Sequence, residues 1–157
     1  MASTITPATL NVTIREACTL NGTDYGAVTR YAVGGVTQIS RRIVATHGTG
    51  STEILRFHPS ASAGQYISGD VRYVRITKLD DTNYATLKIM GQSATDYSVR
   101  LVPTGSHLIM TTQPSSSSNR GLTSYGDISG INLTNIKSIK AIADTSAINL
   151  ELFVASE

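Results

Sequence analysis

Asp144, in Ala143-Asp144-Thr145-Ser146-Ala147, follows an apolar run and opens a polar segment, a setting in which a carboxylate could activate water. That chemistry needs a second carboxylate to share the proton, and the 13 residues after Asp144 are too few to build one into a catalytic lobe. A hairpin turn joining the last two strands is the simpler assignment. His47, His58 and His107 are separated by 11 and 49 residues, without the short local spacing of a zinc site, and Cys18 has no close partner. His47-Gly48-Thr49-Gly50-Ser51-Thr52 is glycine-rich but lacks the lysine of a phosphate loop and leads into a strand. Asp80-Asp81-Thr82-Asn83 offers oxygen atoms without the ordered carboxylates and terminal glutamate of a calcium loop. No catalytic residue, cofactor or metal ligand is therefore expected, and no enzymatic activity.

The residue types that remain suit contact rather than reaction. Seven tyrosines stand against two phenylalanines and no tryptophan. Tyr25, Tyr31, Tyr66 and Tyr125 fall in or near loops, where a ring with a polar tip can anchor a protein interface or stack on a sugar. Phe153 alternates outward on the last strand. Residues 1–8 form an extended arm, small and hydroxyl-rich, closed by Pro7. The expected interface comprises Ala2, Ser3, Thr4, Ile5, Thr6 and Pro7 from the arm, with Tyr25, Tyr31, Tyr125 and Phe153.

These side chains must be positioned by strands. Apolar residues recur every second position in Thr9–Arg15, Thr52–His58, Val71–Met90, Tyr97–Leu101, His107–Thr112 and Ile148–Val154, the period of half-buried β-structure. Asp80–Asn83 supplies turn chemistry inside Val71–Met90, so this stretch is expected to be a hairpin. Gly34-Gly35 predicts a second hairpin, between Val28–Val33 and Val36–Thr46. Asn21-Gly22 marks another turn. In Val36–Thr46, Ile39 and Ile43 share a face with Arg41 between them, which predicts a bulged or edge strand. Ile136, Ile139 and Ile142 recur every third residue, so 136–143 fits a strand or a short helical turn entering one. Gln113–Gly121 is a low-complexity loop. Eight to ten short strands, with no long amphipathic helix, predict an all-β antiparallel sandwich, most specifically a jelly roll, spanning 9–157 as one domain behind the arm. Its core should hold Leu10, Val12, Ile14, Val74, Ile76, Leu87, Ile89, Val99, Leu101, Ile148, Leu150 and Leu152.

Composition agrees. The 157 residues suffice for one core without covalent staples. Thr and Ser make up 21 and 18 of them and Ile 15, a strand-favouring mixture. A net charge of +2, with nine Arg and four Lys scattered, gives no footprint for nucleic acid. No apolar run is long enough for a membrane helix, and MASTITPATL lacks the basic start and apolar core of a signal peptide. No export is expected, and the lone Cys18 excludes an intrachain disulfide. The three Asn-X-Thr sequences at Asn11, Asn21 and Asn132 are accordingly taken as chance.

Residues 143–147 resemble the Asp-Thr-Ser/Gly-Ala signature of aspartic proteases, a likeness set against the short tail noted above. VRITKLDDTNYATLKI and SIKAIADTSAINLELFVASE, within residues 70–157, resemble the small β-sandwich accessory proteins of tailed-phage virions, especially capsid decoration or cement proteins. That resemblance implies a jelly roll, a homo-oligomer (a trimer), and a major capsid protein or other virion shell protein as partner. It implies a place on the capsid exterior after synthesis in the host cytoplasm, with no nucleic acid or membrane bound. A tail or head-tail structural protein, or a carbohydrate-binding β-sandwich module, would share the same strand pattern.

Overall fold

The computed structural model describes residues 5–48, 50–60, 62–91, 96–102, 105–111 and 136–157, all strand, turn or extended connection, with no helix among them. The strands are β1 Ala8–Glu16, β2 Thr19–Leu20, β3 Thr23–Asp24, β4 Ala27–Val36, β5 Gln38–Ala45, β6 Thr52–His58 and β7 Tyr66–Ile67. They continue as β8 Val71–Lys78, β9 Ala85–Gly91, β10 Asp96–Leu101, β11 His107–Thr111, β12 Ile136–Ala143 and β13 Asn149–Ser156. Gln113–Gly121, Tyr125 and the first four residues of the arm lie outside the described residues.

Two sheets make the body. One runs β5-β13-β8-β11; the other runs β6-β12-β9-β10, with short β7 added beside β6. Leaving β7 aside, the eight body strands in chain order give first-eighth-third-sixth in one sheet and second-seventh-fourth-fifth in the other. That is the jelly-roll order. Val74, Ile76, Leu150, Leu152 and Val154 on one sheet meet Leu55, Leu87, Ile89, Leu101, Ile139 and Ala141 on the other, all buried. Lys78 is buried among them too, its ammonium donating to the Asp80 carbonyl where the sheet ends.

The sequence expectations fail where chain neighbours are not space neighbours. Val71–Met90 is not a hairpin. β8 pairs with β13 and β11, while β9 pairs with β10 and β12, so Leu79–Tyr84 carries the chain from one sheet to the other. Ala143–Ala147 likewise crosses between sheets instead of turning a hairpin. The two crossovers are tied together: the Asn83 amide donates to Ser146 Oγ at 3.0 Å, and Thr145 Oγ1 donates to Asn83 Oδ1 at 2.9 Å. In 136–143 the strand is unbroken. A bulge opposite β9, between Ile136 and Ser138, places both Ile136 and Ile139 in the core, which accounts for the three-residue spacing without a helical turn.

Gly34-Gly35 is not a hairpin turn either. β4 runs straight through it, paired throughout with β1, and Gly35 at φ +71° forms a bulge opposite Ala8 and Leu10. The β1–β4 hairpin is an outer layer. Val33 and Val36, with half-buried Leu10, Val12 and Tyr31, cover Tyr73, Ile109, Phe153 and Ala155 on the back of the four-stranded sheet. Leu10 and Val12 thus belong to this second cluster rather than to the sandwich core, and Ile14 is exposed. The other expected core residues lie in the sandwich, with Val99 half-buried at its margin. The sandwich begins at β5; residues 8–36 lie on it.

Candidate functional site

The residues with catalytic potential are dispersed. Asp144 is exposed, and its Oδ1 accepts from the Tyr84 and Thr145 amides and from Thr145 Oγ1, so it ties one crossover to the other. Across the joined crossovers Asn83 bonds to Thr145 and Ser146 beside it. Asp80 forms an Asx turn in the other crossover, its Oδ1 accepting from the Thr82 and Asn83 amides. Amide hydrogen bonds from Asn83 and then Thr82 hold its carboxyl below the ordinary range. His47, His58 and His107 are exposed at separate strand ends, and no cluster able to hold a metal occurs among the described residues.

On the back of the four-stranded sheet, register alone sets three rows of side chains across β11, β8, β13 and β5. They are His107-Thr77-Glu151-Ile43, Ile109-Arg75-Phe153-Arg41 and Thr111-Tyr73-Ala155-Ile39. Glu151 is the hub. Its two oxygens take Arg41 and Arg75 separately, each at 2.5 Å. Arg75 also lies over the Phe153 ring, 5.5 Å from its centre. The Arg41 hydrogen bonds outweigh burial and, joined by Arg75, hold the Glu151 carboxyl below its ordinary 4.5. A depressed carboxylate stabilises the fold above its unfolded-state value and loses that effect as pH falls through the lower folded value. Glu151→Gln should therefore flatten the acid limb of a plot of Tm against pH below about 4.5. An unchanged acid limb would show that the triad contributes nothing.

Between β1 and this face runs an open groove of about 420 Å³, whose lining includes Arg15, Tyr73, Arg75, Thr77, His107 and Glu151. It can receive a small polar group. It offers no free ring for stacking, because Tyr73 is buried edge-on against Phe153, with ring centres 5.9 Å apart at 78°. A second groove of about 250 Å³ holds Tyr66 and Asp70 beside the chain end. There Tyr66 is half-buried and tilted against Phe57.

The feature with the largest reach is the far half of the β1–β4 hairpin. Every residue from Thr13 to Arg30 is exposed. The strands narrow into the β2–β3 tip, where Asn21 at φ 51° and Gly22 at φ +81° supply the two left-handed residues of a tight turn. From Thr13 to the tip the extended chain covers up to roughly 25 Å at the ordinary strand rise. Along it Ile14, Leu20, Tyr25 and Val28 are 37%, 58%, 63% and 53% exposed. A two-stranded ribbon is marginal in water by itself. This one is rooted in the outer cluster and carries uncovered apolar side chains outward.

No family model matches the sequence, and no curated protein does. Among solved structures the chain is similar to the Family 11 Carbohydrate-Binding Module of cellulosomal cellulase Lic26A-Cel5E of Clostridium thermocellum. The likeness is 11% identical, covers 98% of this chain and 88% of that chain, and has a TM-score of 0.23. At that score neither fold nor ligand carries over.

Of the expected interface residues, Tyr25 sits on the outlying hairpin, and Ile5, Thr6 and Pro7 lie exposed ahead of β1 at its root. Tyr31 and Phe153 come together under the root, both half-buried. Burial, with Tyr73 beside it, pushes the Tyr31 hydroxyl up to about 12. Ala2, Ser3, Thr4 and Tyr125 fall outside the described residues. Leu20 and Val28, exposed on the hairpin, are not among the expected interface residues, and Ile14, expected in the core, is exposed. An alternating strand looks the same in sequence whether or not anything lies beneath it.

Proposed function

We propose that this chain is a non-enzymatic structural protein of a virion, a decoration or cement protein that fastens to the outside of a capsid shell and stabilises it. The observation that carries this reading is the projecting hairpin with Leu20, Tyr25 and Val28 uncovered along it. Apolar side chains left exposed on an ordered element suit a contact site, and a ribbon reaching past the body can bridge a joint between larger subunits. The arm ahead of β1, with Ile5 exposed, adds a second extended segment able to lie along a neighbour's sheet edge. Several such contacts from an oligomer bind more tightly together than any one alone. A tail or head-tail position would employ the same hairpin on a different partner. The carbohydrate-binding alternative draws less support, since Tyr73 and Tyr66 present no open ring face in the grooves.

The test uses the full chain, a Leu20→Ser/Tyr25→Ser/Val28→Thr variant and a deletion of residues 2–8, re-added to tailed-phage shells stripped of their accessory proteins. All three changed side chains are exposed, so folding should be unaltered, and loss of apolar anchors should weaken binding at least about tenfold. The heat resistance conferred on the shell should fall in parallel. If the folded variants bind and protect like the parent, the attachment mechanism is wrong. Saturable binding of both parent and variant to a polysaccharide panel would favour the sugar reading.

A further inference from the structure

We infer that β5 is a self-association edge, through which two copies of this chain pair antiparallel about Arg41 and join their four-stranded sheets into one continuous sheet of eight. Four observations converge on it, and none depends on what the hairpin binds.

First, β5 is an open edge: among the described residues its only strand neighbour is β13. It is also the longest edge of the body, eight residues against six in β10, five in β11 and two in β7. Proline, lysine and bulges, usual devices against edge pairing, are missing from Gln38 to Ala45, and its two charges, Arg41 and Arg42, are engaged by Glu151 and by the Ile54 carbonyl.

Second, the backbone is aimed correctly. The Thr46 amide donates to the Ile148 carbonyl, and hydrogen-bonding direction alternates along an antiparallel strand. Even-numbered residues of β5 therefore face β13, and Ile39, Arg41 and Ile43 direct both N–H and C=O toward the open side.

Third, the side chains are self-complementary. Ile39 and Ile43 are 61% and 64% exposed on the back face, beyond the cover of the β1–β4 hairpin. They lie symmetrically about Arg41. Pairing Arg41 with Arg41 of a second copy sets Ile39 opposite Ile43 twice. The result is two cross-strand apolar pairs with six backbone hydrogen bonds, in the isologous manner of a two-fold dimer. A slip of one residue would set Arg41 opposite Ser40 or Arg42, and a slip of two would set Arg42 opposite Arg42 or Ile39 opposite Arg41; each loses both isoleucine pairs.

Fourth, the charge at the axis is already engaged. Glu151 draws the Arg41 guanidinium back over β13 with a 2.5 Å contact, away from the edge where its twin would stand. An unpaired arginine there would oppose the contact.

The experiment measures mass by sedimentation across the micromolar range for the full chain and for Ile39→Lys/Ile43→Lys. Both changed residues are exposed, so the variant should keep the parent's circular dichroism and Tm. The parent is expected to dimerise with concentration and the variant to remain monomeric. Cross-linking then fixes register in a Cys18→Ser background. Facing residues of a hydrogen-bonded pair have Cα atoms about 5.5 Å apart, within disulfide reach. Chains carrying Ile39→Cys should cross-link with chains carrying Ile43→Cys, and neither should cross-link with itself. A parent that stays monomeric overturns the inference. A double-lysine variant that still dimerises, or self-linking of either single cysteine as readily as the mixture, overturns it too.

Discussion

Leu150→Ala is expected to remove about 2–5 kcal/mol of folding stability, the range for truncating a fully buried leucine whose surroundings cannot close on the gap. Leu150 is 0% exposed. It sits near the start of β13, held between Val44 on β5 and Lys78 on β8, so both neighbouring strands fix the backbone around the vacated volume. The opposing sheet is equally constrained, because β12 and β9 are inner strands bonded on both sides. Little relaxation is available, and the cavity term should push the loss toward the upper half of that range. Urea unfolding checks it. The midpoint should move sharply to lower denaturant with an unchanged slope. A loss under about 1 kcal/mol would mean that the site collapses and that the two sheets are less tightly packed than their burial implies.

Tyr73→Ala should be comparably costly in its own layer, about 3–5 kcal/mol by analogy with other large aromatic truncations, but the loss should appear locally. Tyr73 is 3% exposed and is the pivot of the outer cluster, edge-on to Phe153 and beside Tyr31. Its removal leaves the sandwich core intact, because that core lies on the other face of β8. The hairpin, in contrast, loses its main support. The measurement is amide exchange with limited proteolysis: protection in β1 and β4 should drop and cleavage near residues 17–26 should rise while β13 stays protected. The Tyr31 hydroxyl should also return from about 12 toward its ordinary 10.0 as its burial and its tyrosine partner are lost. If exchange instead rises uniformly, hairpin and sandwich unfold as one unit and the outer layer is no separate element.

Strand identity and facing were legible in this sequence. Val74 and Ile76, Leu87 and Ile89, and Ile148, Leu150, Leu152 and Val154 lie inward as their two-residue period requires, because the pleat alternates sides whatever the strand is paired with. The sandwich class followed from the same pattern.

Pairing was not legible. Asp80–Asn83 looks like a hairpin turn, since the same Asx chemistry that reverses a chain within one sheet also carries it across to another. Which one occurs depends on whether Val74 and Leu87 are to face each other across a core or lie side by side in a sheet, and both arrangements bury them. Gly34-Gly35 failed for a related reason: a left-handed glycine serves a bulge as readily as a turn, and Val33 and Val36 were drawn onto the back of β8 and β13. Ile14, Leu20 and Val28 show the limit most plainly. They lie on β1, β2 and β4, where local sequence marks strand, but exposure depends on how far the sheet beneath extends, a distance set by β8, β11 and β13. The same holds for Ile39 and Ile43, which local pattern places on one face of an edge strand. Only the assembled sheet, ending at β5 with the hairpin stopping short of it, leaves that face open to another molecule.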